Sequence, residues 1–280
     1  MKRILLTLLT FLSLDLAAQK DPTKQARHIV DEGKRLYRSE MASWYGTDLF
    51  LAKYKDMDNV GGYFSYTEDE ISKCIFFSRS ETPKVIGTIS FDSTYNTKTA
   101  VSEISERAFT SYENELYMLR KQARQAITED TIFKSYKNTS LNIIPLISNN
   151  EKKVYVLTGA QQEGVVIFGN DYLMTFDKKL KLKGTKQLHQ NIIPISYAPE
   201  DGEVEATIHS HLPATGDFIT ATDICTLMLY ARFAHWKQHN VVSEKYLNIW
   251  NCETNELVVL PMETVEKISK DQEKRHPDQK

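Results

Sequence analysis

Two of the chain's seven histidines stand one residue apart, in Thr207-Ile208-His209-Ser210-His211-Leu212-Pro213. Alternate residues of an extended strand project to the same face, so His209 and His211 present two imidazoles side by side at a strand end. Neutral imidazole is the commonest nitrogen ligand for zinc, and a catalytic zinc takes three protein ligands and keeps a fourth position for water. Asp223 offers the third ligand, because it lies at the start of the next predicted helix, after a glycine-containing loop short enough to fold back over the strand end. Asp217, inside that loop, takes the same role if the register shifts. His189 reads as a hydrogen-bonded surface histidine, with a place behind a zinc ligand as the alternative. His235 and His239 have helical spacing but no glutamate between them in the His-Glu-x-x-His arrangement, and they read as the polar end of a helix.

His209-Ser210-His211, followed by Thr220-Ala221-Thr222-Asp223 and an amphipathic helix, resembles the signature of the JAMM or MPN (JAB-like) metallopeptidases: His-x-His-Pro, six residues, Ser-x-x-Asp. In order of elements the resemblance covers about residues 99–262, and its specific positions are confined to residues 209–223. It implies zinc held by His209, His211 and Asp223, with Thr220 in the place of the family serine that assists the tetrahedral intermediate. It also implies hydrolysis of a peptide or isopeptide bond. This sequence departs from the pattern in three ways. Leu212 precedes Pro213, so the loop is one residue longer, and threonine stands at position 220. The family also needs a glutamate on an earlier strand as general base. The nearest match is Glu163 in Glu163-Gly164-Val165, although it falls in a predicted hairpin turn. Glu205 shares the histidines' parity but lies roughly 13 Å along the strand, and Glu113 and Glu115 belong to a predicted helix face. Two functions therefore stand side by side: a zinc-dependent hydrolase of protein or peptide substrates, and a catalytically inactive binding or interaction protein on the same fold.

The elements that must position these residues follow from periodicity. Residues 21–54 read as one helix, with Ala26, Val30, Gly33, Tyr37, Met41 and Trp44 on its apolar stripe. Short β-rich runs at 63–66, 74–78 and 85–91 complete an N-terminal α+β unit, residues 19–98. A second helix is expected over 102–128, with Glu103 and Glu106 in its first turn. Strands follow at 142–147, 153–158, 165–176, 188–195 and 205–209, then a helix over 221–239 and closing strands at 246–251 and 257–260. Asn170 and Asp171 interrupt the apolar strand and read as a bulge or turn, or as the wall of a cleft. The fold class is α+β or α/β, the small first unit preceding a JAB/MPN-like domain (99–268) of mixed sheet with flanking helices. A charged tail, 269–280, ends the chain.

With 35 basic against 37 acidic side chains, a net charge of -2 and 41% hydrophobic residues, the composition is that of a globular protein. It leaves no basic excess for a nucleic acid partner. Residues 1–18 match a secretory signal, with Lys2 and Arg3 before an apolar run at 4–14 and Ala17 and Ala18 near the cut. The expected location is secreted or periplasmic, with no integral membrane segment once the signal is removed. Cys74, Cys225 and Cys252 fit neither a disulfide framework nor a zinc ribbon and read as small apolar residues, with a Cys225–Cys252 bridge left open.

Overall fold

The computed structural model describes residues 21–197 and 204–275. The signal at 1–18 and the end of the charged tail lie outside the described residues. The fold is α+β. Its elements begin with α1 (Pro22–Gln25) and the long α2 (Arg27–Lys53), then β1 (Val60–Glu68), β2 (Ile71–Ser78), β3 (Val85–Phe91) and β4 (Val101–Glu103), an antiparallel sheet in that order. Next come α3 (Ser111–Glu129) and β5 (Thr139–Ser148), β6 (Glu151–Ala160), β7 (Val165–Gly169), β8 (Tyr172–Phe176), β9 (Leu182–Gln187) and β10 (Ile192–Ser196). Strands β5-β6-β8-β9 form a second antiparallel sheet, while β7 pairs with β10. The last sheet, β11-β12-β13-β14, comprises β11 (Ala206–Ser210), β12 (Gln238–Val242), β13 (Tyr246–Asn251) and β14 (Glu256–Pro261), with β11 parallel to β12. Helix α4 (Ala221–Tyr230) makes the crossover between β11 and β12, and α5 (Met262–Arg275) closes the described chain.

Helix α4 is apolar on nearly every side, which is the pattern of a helix buried all round. Its Ala221, Cys225 and Leu229 join a core with Leu36, Ala42 and Phe50 of α2, Phe76 and Ile89 of the first sheet, and Leu157 of β6. Its Ile224 and Leu227 join another with Phe168 of β7, Val241 of β12 and Trp250 of β13. The N-terminal segment and the rest of the chain therefore share one packed interior. Helix α2 approaches α4 closely enough that a Cβ on Gly33 would lie 2.7 Å from Ile224 Cβ.

Several sequence expectations are corrected. Trp44, placed on the α2 stripe, is 45% exposed, and Leu36, Ala42, Gly46 and Phe50 are buried instead, because α2 packs against both a sheet and α4. The second helix starts at Ser111 rather than 102. Thr110 is the cap that sets this start: its hydroxyl accepts from Glu113 N while Glu113 accepts from Thr110 N. Glu103 therefore lies in β4. Glu113 is not on a solvated face: it is 1% exposed and forms a two-pronged ion pair with Arg107, at 2.6 and 2.7 Å. The strand expected over 165–176 divides at Asn170 and Asp171 into β7 and β8, and β9 at Leu182–Gln187 is a strand the sequence reading did not include. The helix expected over 221–239 ends at Tyr230, which places His235 in a turn and His239 in β12. The tail is helical as far as Arg275, and all three cysteines are free.

Two stability predictions follow from these contacts. Burial alone would raise the Glu113 carboxyl, but Arg107 and the Thr110 N–H outweigh it and hold it below its usual range. Glu113→Ala is expected to cost about 2–4 kcal/mol in denaturant unfolding at neutral pH. A group with a depressed folded pKa stabilises fully above its unfolded value of about 4.3, so the difference between wild type and variant should shrink as pH falls below that value. A pH-independent difference would rule out the ion pair as its source. Gly33→Ala gains about 1 kcal/mol of helix propensity yet should destabilise by about 1–3 kcal/mol through overpacking on Ile224. A net gain in melting temperature would show that α2 and α4 do not meet this tightly.

Candidate metal centre

Strand β11 lies at a sheet edge and alternates as the sequence requires. Thr207, His209 and, just past the strand end, His211 are buried, while Ile208 between them is 61% exposed. The main-chain N–H of His211 donates to Val242 O and so continues the pairing with β12, which fixes both imidazoles on the inner face. Asp223 arrives from the first turn of α4. Thr220 caps that helix, its N–H donating to Asp223 Oδ2 at 2.9 Å and its hydroxyl to the same oxygen at 2.7 Å. The capping box thus locks the carboxylate's orientation and leaves Oδ1 buried with no hydrogen-bond partner.

The fourth member is His189, in the β9–β10 connection. The break between β7 and β8 brings it in. Gly169 (φ +78°) and Asn170 (φ +49°) take left-handed conformations, and a Cβ on Gly169 would fall 2.1 Å from Asn191 O. Buried Asn170 accepts from Tyr172 Oη and donates to Thr158 Oγ1 and Lys134 O, so the kink leaves its side chain satisfied. The kink turns Asp171 inward. Asp171 Oδ1 accepts from His189 N and lies 2.8 Å from His189 Nδ1, while Thr222 Oγ1 donates to Oδ2.

One ligating atom each from His189, His209, His211 and Asp223 lies within 4.8 Å of the others, and all four residues are buried. His189 Nε2 stands 3.0 Å from His211 Nε2 and 3.6 Å from Asp223 Oδ1. Asp223 Oδ1 lies 3.7 Å from His209 Nε2, and the other oxygen, Oδ2, lies 3.3 Å from His211 Nε2. Beyond these atoms are outer partners: Asp171 for His189, and for His209 a chain from Nδ1 to His239 Nε2 (2.9 Å) and from His239 Nδ1 to Thr207 Oγ1 (2.7 Å). With the inner Nε2 atoms as lone pairs, the outer nitrogens carry the protons. His189 then donates to Asp171, His209 to His239, and His239 to Thr207, which leaves no conflict along the chain.

The electrostatics require positive charge at the centre. Burial disfavours a charged His189, but Asp223 and Asp171 outweigh it and raise the imidazole to about 9. His209 and His239 go the other way, pushed down by burial to about 4 and about 3. Asp223 stays ionised: although burial opposes it, His189, His209 and His211 hold its carboxyl well below the usual range. Two buried carboxylates thus face the imidazoles. His209 Nε2, His211 Nδ1 and Asp223 Oδ1 are buried without hydrogen-bond partners. Such atoms demand an explanation, and a metal ion supplies one for the two that point inward.

Of the residues singled out from the sequence, His209, His211 and Asp223 come together as expected. Thr220 comes with them, but its hydroxyl orients Asp223. Glu163 lies in the exposed β6–β7 turn and is not among the clustered ligands. Asp217 pairs with Lys245 at 2.8 Å, and Glu205 pairs with Lys237. His189 corrects the reading of a surface histidine, and His239 that of a helix end; the only sequence hint of either was the polar Asn170-Asp171 step inside an apolar run. No family model, curated protein or solved structure matches the chain.

Asp171→Asn keeps the shape of the outer partner but removes the charge that fixes the His189 tautomer. It is expected to weaken divalent-metal binding 10- to 100-fold in competition with a chromophoric chelator. Unchanged affinity would remove Asp171, and with it His189, from the site.

Proposed function

We propose that this chain is a zinc-binding protein in which the JAMM-like arrangement of His209, His211 and Asp223 is completed by His189 into a four-ligand site. The carrying observation is the spacing. A tetrahedron with metal–ligand bonds of about 2.0–2.1 Å has edges of about 3.3 Å; one donor atom from each of the four residues lies within 4.8 Å of the others, with His189 Nε2 3.0 Å from His211 Nε2 and Asp223 Oδ1 3.6 and 3.7 Å from His189 and His209. Zinc, when bound, supplies a fixed double positive charge that balances Asp171 and Asp223 and offers Lewis acidity. Asp171 and His239 set the tautomers of His189 and His209, Thr220 aims Asp223, and β11, α4 and the β9–β10 connection become cross-linked.

Four protein ligands are the pattern of a closed site, and the surroundings favour that reading over hydrolysis. The side chains of all four ligands are at most 4% exposed, and the cavity of about 10 Å³ that touches Asp171 and Asp223, room for one water at most, reaches none of the three histidines. Among the described residues no carboxylate with an open oxygen joins the cluster as a general base, because His189 and Thr222 occupy both oxygens of Asp171. This supports the catalytically inactive, JAB-like binding protein. The second reading, a zinc-dependent peptide or isopeptide hydrolase, rests on the His-x-His and Thr-x-x-Asp match, with His189 leaving the metal when substrate arrives. Either protein would act outside the cytoplasm if residues 1–18 direct export. Among the described residues no helix is long and apolar enough to cross a membrane.

Metal analysis of the purified protein should find about one zinc per chain, lost in a His209→Ala/His211→Ala double variant. Zinc at a hundredfold excess over its Kd should stabilise the fold by about 2.7 kcal/mol. His189→Ala should retain zinc more weakly, and neither form should cleave peptide or isopeptide substrates above the metal-free background. Absence of zinc, or its retention in the double variant, contradicts the site; zinc-dependent cleavage by the wild type selects the hydrolase.

A further inference from the structure

A second cavity lies away from the metal centre. It measures about 940 Å³ and opens between α2, the β6–β7 turn and the C-terminal end of α4. Tyr230 on its wall stands seven residues, about 10 Å of helix, from Asp223. Its walls combine two kinds of group. Trp44, Tyr63, Tyr197, Tyr230 and Phe233 are aromatic, and Trp44 is 45% and Phe233 44% exposed. Trp44 lies 6.0 Å from Tyr230 and 6.3 Å from Phe233 between ring centroids, so the three rings form one continuous apolar surface at the mouth.

The other lining groups with charge are all acidic: Glu40, Asp48 and Glu163. No lysine, arginine or histidine among the described residues lines the cavity, and none of the three carboxylates takes part in an ion pair. Glu40 is half-buried, whereas Asp48 and Glu163 are exposed. Glu40 Oε2 accepts from Asn142 Nδ2 at 3.0 Å, and Oε1 has no hydrogen-bond partner. Desolvation raises its carboxyl to about 7, with the Asn142 hydrogen bond acting against the rise. A half-buried carboxylate beside an open volume, with one oxygen unpaired and no ion-pair partner, is left without a counter-charge.

We propose that this cavity binds a small organic cation, an amine whose ammonium pairs with Glu40 and whose apolar body lies against Tyr63, Tyr230 and Trp44. Aromatic faces attract cations as well as apolar groups, and a ligand of this kind satisfies both sets of wall groups at once. Neutral sugars, which also stack on exposed tryptophan, would use the rings but leave Glu40 without a counter-charge.

Calorimetric titration of the full-length protein with 2-phenylethylamine, its neutral analogue 2-phenylethanol, and maltose separates these cases. The amine is expected to bind at least tenfold more tightly than the alcohol and to quench the fluorescence of Trp44. Glu40→Gln should bring the amine to the level of the alcohol. Trp44→Leu, a rim substitution that leaves the core intact, should weaken amine and alcohol alike and serves if the Glu40 variant fails to fold. Equal binding of amine and alcohol, preference for maltose, or no binding of any probe at about 10 mM overturns the proposal.

Discussion

The structure turns on a buried imbalance of charge. Asp171 and Asp223 are both withdrawn from water, and beside them stand the buried imidazoles of His189, His209 and His211. A protein interior does not tolerate two carboxylates without compensation. Compensation here takes the form of a proton on His189 or a cation at the point where the inner nitrogens and Asp223 Oδ1 converge. The orphaned atoms His209 Nε2 and Asp223 Oδ1 favour the cation, because a proton on His189 would leave both unsatisfied.

The surrounding fold reads as a set of devices that deliver these groups. An edge strand whose period of two keeps His209 and His211 on one face supplies the pair. A capping box at the start of α4 supplies the carboxylate with one oxygen already occupied. A left-handed kink at Gly169 and Asn170 splits a strand so that Asp171 can reach His189 across the sheet boundary. Helix α4 cannot drift away from these partners, because it is packed on both sides, against α2 at Gly33 and against β7, β12 and β13. Orientation is thus fixed by backbone geometry and by an outer ring of hydrogen bonds, which is how metal ligands are commonly held.

What could be read in the sequence was what depends on local pattern. The α+β class, the strand carrying His209 and His211, and the start of α4 all follow from spacing of two or from a cap. Residues whose place depends on long-range pairing were not legible. His189 meets Asp171 across 18 residues and His211 across 22, and nothing in its immediate neighbours marks it as a ligand. His239 was lost for a related reason: the apolar run from 221 continues past Tyr230, and the turn that ends α4 carries neither proline nor glycine to mark the change to β12. Glu113 was misplaced because Glu103 and Glu106 also suit a helix start, and only the reciprocal bonds of Thr110 distinguish the true cap.

The coordination number at the centre separates a closed four-ligand site from an open catalytic one, and X-ray absorption at the zinc edge of the zinc-loaded protein reads it directly. Three imidazole nitrogens and one carboxylate oxygen at about 2.0–2.1 Å, with no additional oxygen shell, is the expected spectrum. A zinc ion carrying only two imidazoles together with water oxygens would contradict it, because His189 would then stand outside the metal's reach.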